Sequence, residues 1–122
     1  MSELYCYLIV NSSLKMSKGK IGSQCGHAIS ALFQVIPKKS KWFKEWLSCG
    51  EPIICLKASD DELIDLAKEY GLDSKTNINY LWGVPVYDAG RTEDKDGSLT
   101  VFALRPIAKS VRPKWLTNLK LL

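Results

Sequence analysis

Residues 4–36 read LYCYLIVNSSLKMSKGKIGSQCGHAISALFQVI, and this stretch decides the fold. It opens on Leu4–Val10, which is apolar and β-prone and predicts a strand. Gly19–Ile36 follows after a short polar loop, and on a helical wheel its apolar side chains form one stripe. A second stripe is polar and holds Lys20, Gln24 and His27. We therefore expect a strand, a loop and a helix whose apolar face covers a sheet.

The rest of the chain alternates in the same way. Its predicted elements are helix Lys41–Ser48, strand Ile53–Leu56, a helix capped by Ser59 that runs to Tyr70, strands Tyr80–Tyr87 and Leu99–Leu104, and helix Lys114–Leu121. A crossover through helices makes the first two strands parallel, whereas the short connection between the last two makes them antiparallel. The expected fold class is α/β: a single domain over residues 1–122, with a four-stranded mixed β-sheet sandwiched between helices.

The composition fits one globular domain. Of the 122 residues, 46% are hydrophobic and 25% are charged, which supplies enough apolar material for one core. The chain contains no run of about 18 apolar residues. Its amino terminus lacks the basic region and the cleavage site of a signal peptide. We expect a cytoplasmic protein that contacts no membrane.

The cysteines argue against a metal site. Cys6, Cys25, Cys49 and Cys55 form no C-x-x-C pair, and the chain has a single histidine. Each cysteine lies among apolar or helical neighbours, which predicts buried free thiols in a reducing compartment rather than disulfides. Cys25 falls on the apolar stripe of the first helix, so we expect it to pack rather than to react.

Positive charge is concentrated in the first part of the chain. The net charge is +4, and residues 1–50 carry seven lysines against Glu3 and Glu45. Such a surface suits phosphates, although a merely soluble basic protein would show the same balance. Within it, Lys38–Lys44 comes with Trp42 and Trp46. Either these rings and lysines form an outer RNA contact, or the rings fill the core beneath a solvated lysine shell.

The start of the first helix is a candidate anion site. Its first turn has free backbone N–H groups, and Lys18 and Lys20 add full positive charges. The spacing matches neither the phosphate loop of nucleoside triphosphatases nor the dinucleotide fingerprint. A solvated lysine face is the alternative for the two lysines, and a structural role is the alternative for Gln24 and His27.

A second polar cluster follows the third predicted strand, in the sequence VYDAGRT at residues 86–92. Asp88 could orient or deprotonate water, Arg91 could hold a phosphate with two hydrogen bonds, and Thr92 could donate or accept one. The alternative is a tight turn in which Asp88 bonds its own backbone.

Together the two segments resemble a known signature. KMSKGKIGSQCGHA at residues 15–28, followed by DAGRT at residues 88–92, looks like the motif pair of the type-two peptidyl-tRNA hydrolases, the archaeal and eukaryotic form. Further similarity lies in WLSCGEPIICLKA at residues 46–58, in GSLTV at residues 97–101 and in the final LKLL. The resemblance covers roughly residues 4–122, and two linked motifs are more specific than either alone.

The resemblance implies an enzyme that hydrolyses the ester between a peptide, or an N-blocked amino acid, and the 3′-terminal ribose of tRNA. It implies no cofactor, a peptidyl-tRNA partner and a homodimer. Its catalytic residues match Lys20, Asp88 and Thr92. In these roles Asp88 would polarise water, Lys20 would stabilise the oxyanion or the ribose-phosphate charge, and Thr92 would orient a reactant through its hydroxyl. The substrate-binding residues match Lys18, Gln24, His27 and Arg91.

Two departures from the family pattern keep other functions open. Asn11 and Ser13 stand where the family usually carries an arginine and an aspartate. Glu93–Asp96 places three acids directly after Thr92, where they would repel phosphates. A catalytically weak homologue that binds tRNA or a protein is therefore one alternative to the hydrolase. A phosphate-ligand-binding α/β module that uses the start of the first helix is another.

Overall fold

Strands and helices alternate along the chain, as the sequence pattern predicts. A computed structural model describes residues 3–72, 81–88 and 97–122. The elements in chain order are β1 (Leu4–Asn11), α1 (Lys18–Val35), α2 (Lys41–Ser48), β2 (Ile53–Ala58), α3 (Asp60–Tyr70), β3 (Gly83–Tyr87), β4 (Leu99–Leu104), β5 (Ile107–Ala108), α4 (Lys114–Asn118) and β6 (Lys120–Leu121). Short 3-10 helices occupy Ser12–Leu14 and Lys109–Val111.

The strands form one mixed sheet in the order β3-β4-β1-β2-β6, with β5 paired to the start of β1. β1 is parallel to β2, with Leu8 opposite Cys55, and β4 is antiparallel to both β1 and β3. The two predicted orientations are thus confirmed. β3 begins at Gly83, whereas Tyr80, where the sequence placed its start, lies outside the described residues. It follows that β1, β2 and β3 run the same way and end at the same edge.

Helices cover both faces of the sheet, which explains why β1 is apolar along its whole length. On one face Cys6, Leu8 and Val10 pack in the core layer of α1 and α2. On the other face Tyr7 and Ile9 pack in the layer of α3 and α4. The predicted sandwich of one sheet between helices is confirmed.

The sheet has more strands than the predicted four, because the described residues contain six. β5 and β6 are each only two residues long. Two residues are too few to show the alternation of apolar and polar side chains by which a strand is recognised in a sequence. β6 pairs with Leu56 and Lys57 of β2. The predicted helix Lys114–Leu121 therefore ends at Asn118, and the residues after it join the sheet.

All four cysteines are free, as predicted, but they are not all buried. Cys6 is buried, and Cys25 and Cys55 are partly buried. Cys49 is exposed because it follows the last residue of α2, where the chain turns through Gly50 at a φ of +93°. The prediction of a buried thiol is wrong for Cys49.

The tryptophan rings of α2 belong to the core. Trp46 is 1% exposed, and its indole Nε1 donates to the carbonyl oxygen of Pro52 at 2.9 Å. Trp42 is partly buried against Trp82, with the Arg105 guanidinium 4.0 Å from its ring centre. An RNA contact through both rings is therefore wrong, and the alternative of core rings beneath a lysine shell is correct. The exposed lysines of that shell include Lys39, Lys41 and Lys44.

Replacing Trp46 with Ala should lower the free energy of unfolding by about 3–5 kcal/mol, because it removes a large buried ring. The neighbouring Leu47 is 40% exposed, so Leu47→Ala is a matched control and should cost only about 0.5 kcal/mol. Urea unfolding followed by circular dichroism measures both losses. Equal losses in the two variants would contradict the burial of Trp46.

Candidate active site

Lys20 and Asp88 meet at the edge of the sheet where β1 and β3 end. They are 68 positions apart in the chain, and Lys20 Nζ donates to Asp88 Oδ2 at 2.8 Å. The lysine side chain is 43% exposed and the aspartate side chain 23%. The pair is thus formed by the fold and stays accessible to a ligand.

A side-chain cap fixes the start of α1. Ser17 has an extended backbone, and its Oγ accepts a hydrogen bond from the Lys20 backbone N–H at 3.2 Å. This bond satisfies one of the N–H groups that a helix start leaves free. The first turn carries no acidic residue, so its positive dipole end and the exposed Lys18 together favour an anion.

Asp88 is positioned by its backbone. Its N–H donates to the carbonyl oxygen of Ser98 at 2.9 Å, which joins the end of β3 to the start of β4. The neighbouring Gly97 has a φ of +57°, and a Cβ at this position would collide with the Asp88 carbonyl oxygen. Only glycine fits there. Gly97 and Ser98 therefore hold the Asp88 backbone while the carboxylate reaches Lys20.

Asn11 fixes the loop between β1 and α1 from inside the protein. It is 1% exposed, and its Nδ2 donates to Asp60 Oδ1 at 2.7 Å and to the Leu99 carbonyl oxygen at 2.9 Å. Its Oδ1 accepts from the Ser13 N–H, and Ser13 Oγ accepts from the Asp60 N–H. The uncharged side chains at positions 11 and 13 therefore serve the fold through hydrogen bonds, one of them to the Asp60 carboxylate. A single sequence gives no signal for this network, since its members come from three distant segments.

Gln24 and His27 have different surroundings, although both lie on the polar stripe of α1. Gln24 is buried, and its Oε1 accepts from the Thr100 hydroxyl at 2.8 Å. The same hydroxyl lies 3.1 Å from the Val86 carbonyl oxygen, so Gln24 links α1 to β4 and β3. His27 is exposed one turn further along. Thr100 is a residue that sequence reasoning missed, because it reads as one position in an apolar strand.

Arg91 and Thr92, the other two predicted site residues, lie outside the described residues, as does Glu93–Asp96. Over residues 3–72, 81–88 and 97–122, no group of three or more His, Cys, Asp or Glu side chains is placed to hold a metal ion. Within the same ranges, none of the helices is long and apolar enough to cross a bilayer.

Cys25 is next to Gln24 in sequence but belongs to the core. Its side chain is partly buried and packs against the α1–α2 core layer. Burial raises the pKa of the Cys25 thiol to about 11, with a smaller contribution from Cys55. At neutral pH only about one molecule in ten thousand carries the thiolate, which is the nucleophilic form. The thiol is therefore unsuited to nucleophilic catalysis.

The geometry suits hydrolysis of an ester in a substrate that also carries phosphate. A carboxylate can accept a proton from water, and an ammonium group beside it can stabilise the negative charge of a tetrahedral intermediate. The positive start of α1 can meanwhile bind an anion. These elements occupy one open corner of the fold.

The chain belongs to the peptidyl-tRNA hydrolase family whose model is described as "Peptidyl-tRNA hydrolase PTH2", which matches residues 4–122. It is 38% identical over 124 residues to peptidyl-tRNA hydrolase 2, mitochondrial, of Bos taurus, covering 98% of this chain and 64% of that relative. It is 35% identical over 119 residues to the peptidyl-tRNA hydrolase of Thermococcus sibiricus, covering 93% of each.

A yeast relative, peptidyl-tRNA hydrolase 2 of Saccharomyces cerevisiae, is 33% identical over 130 residues, covering 98% of this chain and 58% of the relative. The chain thus spans less than two thirds of the bovine and yeast proteins that it matches. It spans nearly all of the Thermococcus protein.

Alkylation by iodoacetamide at neutral pH should modify the exposed Cys49 rapidly and Cys25 at least about a hundredfold more slowly, because little of the Cys25 thiol ionises. The Cys25 rate should rise as the pH approaches 11. Mass spectrometry of tryptic peptides separates the two sites. Rapid labelling of Cys25 in the folded protein would show that its thiol is not held in the core.

Proposed function

We propose that this chain hydrolyses the ester bond between a peptide, or an N-blocked amino acid, and the 3′-ribose of tRNA, recycling peptidyl-tRNA. The observation that carries the proposal is the ion pair of Lys20 and Asp88, 2.8 Å long, at the open start of α1. Family membership supports the same reaction, since its relatives are named for it.

In the proposed reaction Asp88 accepts a proton from water as the water oxygen attacks the ester carbonyl carbon. The carbonyl oxygen becomes an oxyanion, and the Lys20 ammonium stabilises it. When the intermediate collapses, the bond to the 3′-oxygen breaks and that oxygen takes up the proton. The products are a peptide carboxylic acid, which ionises, and a tRNA with a free 3′-hydroxyl. Thr92 is assigned to orient the reactants.

Substrate binding is assigned to the residues that surround the pair. Lys18 and Arg91 would bind phosphates. Gln24 would act through its bond to Thr100, which fixes the face of α1 that carries Lys20. His27, exposed on the same face, would contact the substrate directly.

The ion pair is better suited to catalysis than to stability. An exposed pair of this kind contributes only about 0–1 kcal/mol to folding, since water and salt screen it. An oxyanion-stabilising group in an active site contributes several times that amount to the barrier, about 3–4 kcal/mol. Substitutions at the pair should therefore affect turnover far more than folding.

We also propose that the protein acts in the cytoplasm as a homodimer. Four free thiols suit a reducing compartment. Ile53 and Leu121 lie on the β2–β6 side of the sheet and have exposed apolar side chains. In a symmetric dimer this apolar surface would pack against the same surface of a second copy.

Asp88→Asn should lower kcat for an N-acetylaminoacyl-tRNA by about a hundredfold or more, because the amide keeps the shape but cannot accept a proton. Affinity for tRNA and the unfolding free energy should change little. Asp61→Asn, on the exposed first turn of α3, is the matched control and should leave kcat unchanged. Steady-state kinetics and filter binding provide the two readouts.

An unchanged kcat in Asp88→Asn would reject Asp88 as the group that activates water. A wild-type protein that binds tRNA without releasing the amino acid would instead favour a binding module over a hydrolase.

A further inference from the structure

A groove of about 390 Å³ lies between α1 and β3. Its α1 wall includes His27, Ser30, Ala31 and Gln34, and its β3 wall includes Pro85 and Tyr87. This groove does not include Lys20 or Asp88 but begins close to them, because its lining residue Gln24 lies one turn after Lys20 on α1.

The groove continues the line of the active site along the helix. Lys20, Gln24, His27, Ala31 and Gln34 are spaced by four, three, four and three residues, so they lie on one face of α1. From Gln24 to Gln34 the helix rises about 15 Å. An extended peptide of about four or five residues has the same length. A ligand that enters at the ion pair can therefore extend along the groove.

The lining of the groove combines polar and apolar side chains. Among the residues described by the structure, those that form its walls include no Asp, Glu, Lys or Arg. Imidazole, hydroxyl and carboxamide groups can donate hydrogen bonds to, and accept them from, the backbone amides of a peptide, whatever its side chains are. Tyr87 is 55% exposed and adds an aromatic side chain to the lining.

The peptide arm and the nucleotide arm of a peptidyl-tRNA differ in charge. The surfaces on the two sides of the Lys20–Asp88 ion pair, the start of α1 and the α1–β3 groove, differ in charge as well. Lys15 and Lys18 precede Lys20 in the chain and are exposed on the side of the helix start. Phosphodiesters need such cations. The groove, whose described lining includes no Lys or Arg, runs in the other direction from Gln24 to Gln34.

We propose that the α1–β3 groove binds the peptide arm of the substrate, while the lysines at the start of α1 take the nucleotide arm. This assignment rests on the proposed function, since it uses the ester at Lys20 and Asp88 as the junction of the two arms. The groove recognises peptide backbone, so affinity depends on peptide length more than on sequence.

The test uses tRNA that carries peptide through a stable 3′-amide in place of the ester, with either one N-acetylated residue or an N-acetylated pentapeptide. The wild-type protein should bind the longer analogue roughly tenfold more tightly, because several hydrogen bonds are added. Ser30→Trp, an exposed position that fills the groove, should abolish this gain and leave affinity for the short analogue unchanged. Ser48→Trp, at the exposed end of α2, is the control and should retain the gain.

Equal wild-type affinity for the two analogues would overturn the proposal. So would an equal loss for both analogues in Ser30→Trp, which would give the groove to the nucleotide arm. Circular dichroism checks the fold, and Gln34→Trp, also at an exposed position, repeats the test if Ser30→Trp unfolds. Hydrolysis of the matching esters tests the proposed function separately. A protein that leaves the esters intact but binds the longer amide more tightly would reject the hydrolase and keep the peptide groove.

Discussion

The common direction of β1 and β3 is the constraint on which the site depends. The two strands are not neighbours, but each is antiparallel to β4, which lies between them. Both therefore end at the same edge of the sheet. The start of α1, which follows β1, and Asp88, which follows β3, therefore lie at this edge, and Lys20 and Asp88 pair there from distant parts of the chain. This placement follows the general rule that ligand sites of α/β sheets gather at the carboxyl ends of strands.

Hydrogen bonds of two buried side chains, Asn11 and Gln24, hold this corner of the fold in place. Asn11 joins the end of β1 to α3 and β4, and Gln24 joins α1 to Thr100 of β4. A buried polar group that loses its partner is costly, so each bond fixes the relative position of the elements that it links. The ion pair above them is exposed and contributes little to folding. The buried side chains that fix the geometry of the site are therefore different residues from the exposed pair to which the chemistry is assigned.

Local signals allowed much of the fold to be predicted from the sequence. The predicted bounds of α2 and β4 match the structure, and Ser59 caps α3 as expected. What depends on distant partners was not predictable, namely the two-residue strands β5 and β6 and the hydrogen-bond network of Asn11. The exposure of Cys49 has a local cause, the turn through Gly50, that the prediction of a buried thiol overlooked. For the site, the resemblance to the two family motifs selected Lys20 and Asp88, and the fold pairs them. The roles of Thr92 and Arg91 stay predictions, as do the effects of the acids that follow them.

The central claim is that Lys20 and Asp88 act as one catalytic unit, and a double-mutant cycle tests it most directly. The cycle compares kcat/KM for N-acetylaminoacyl-tRNA in Lys20→Gln, Asp88→Asn and the double variant. Groups that act together are not additive, so the double variant should be about as active as the weaker of the two single variants. If the two losses multiplied instead, the residues would contribute independently. The contact seen at 2.8 Å would then have no part in the reaction.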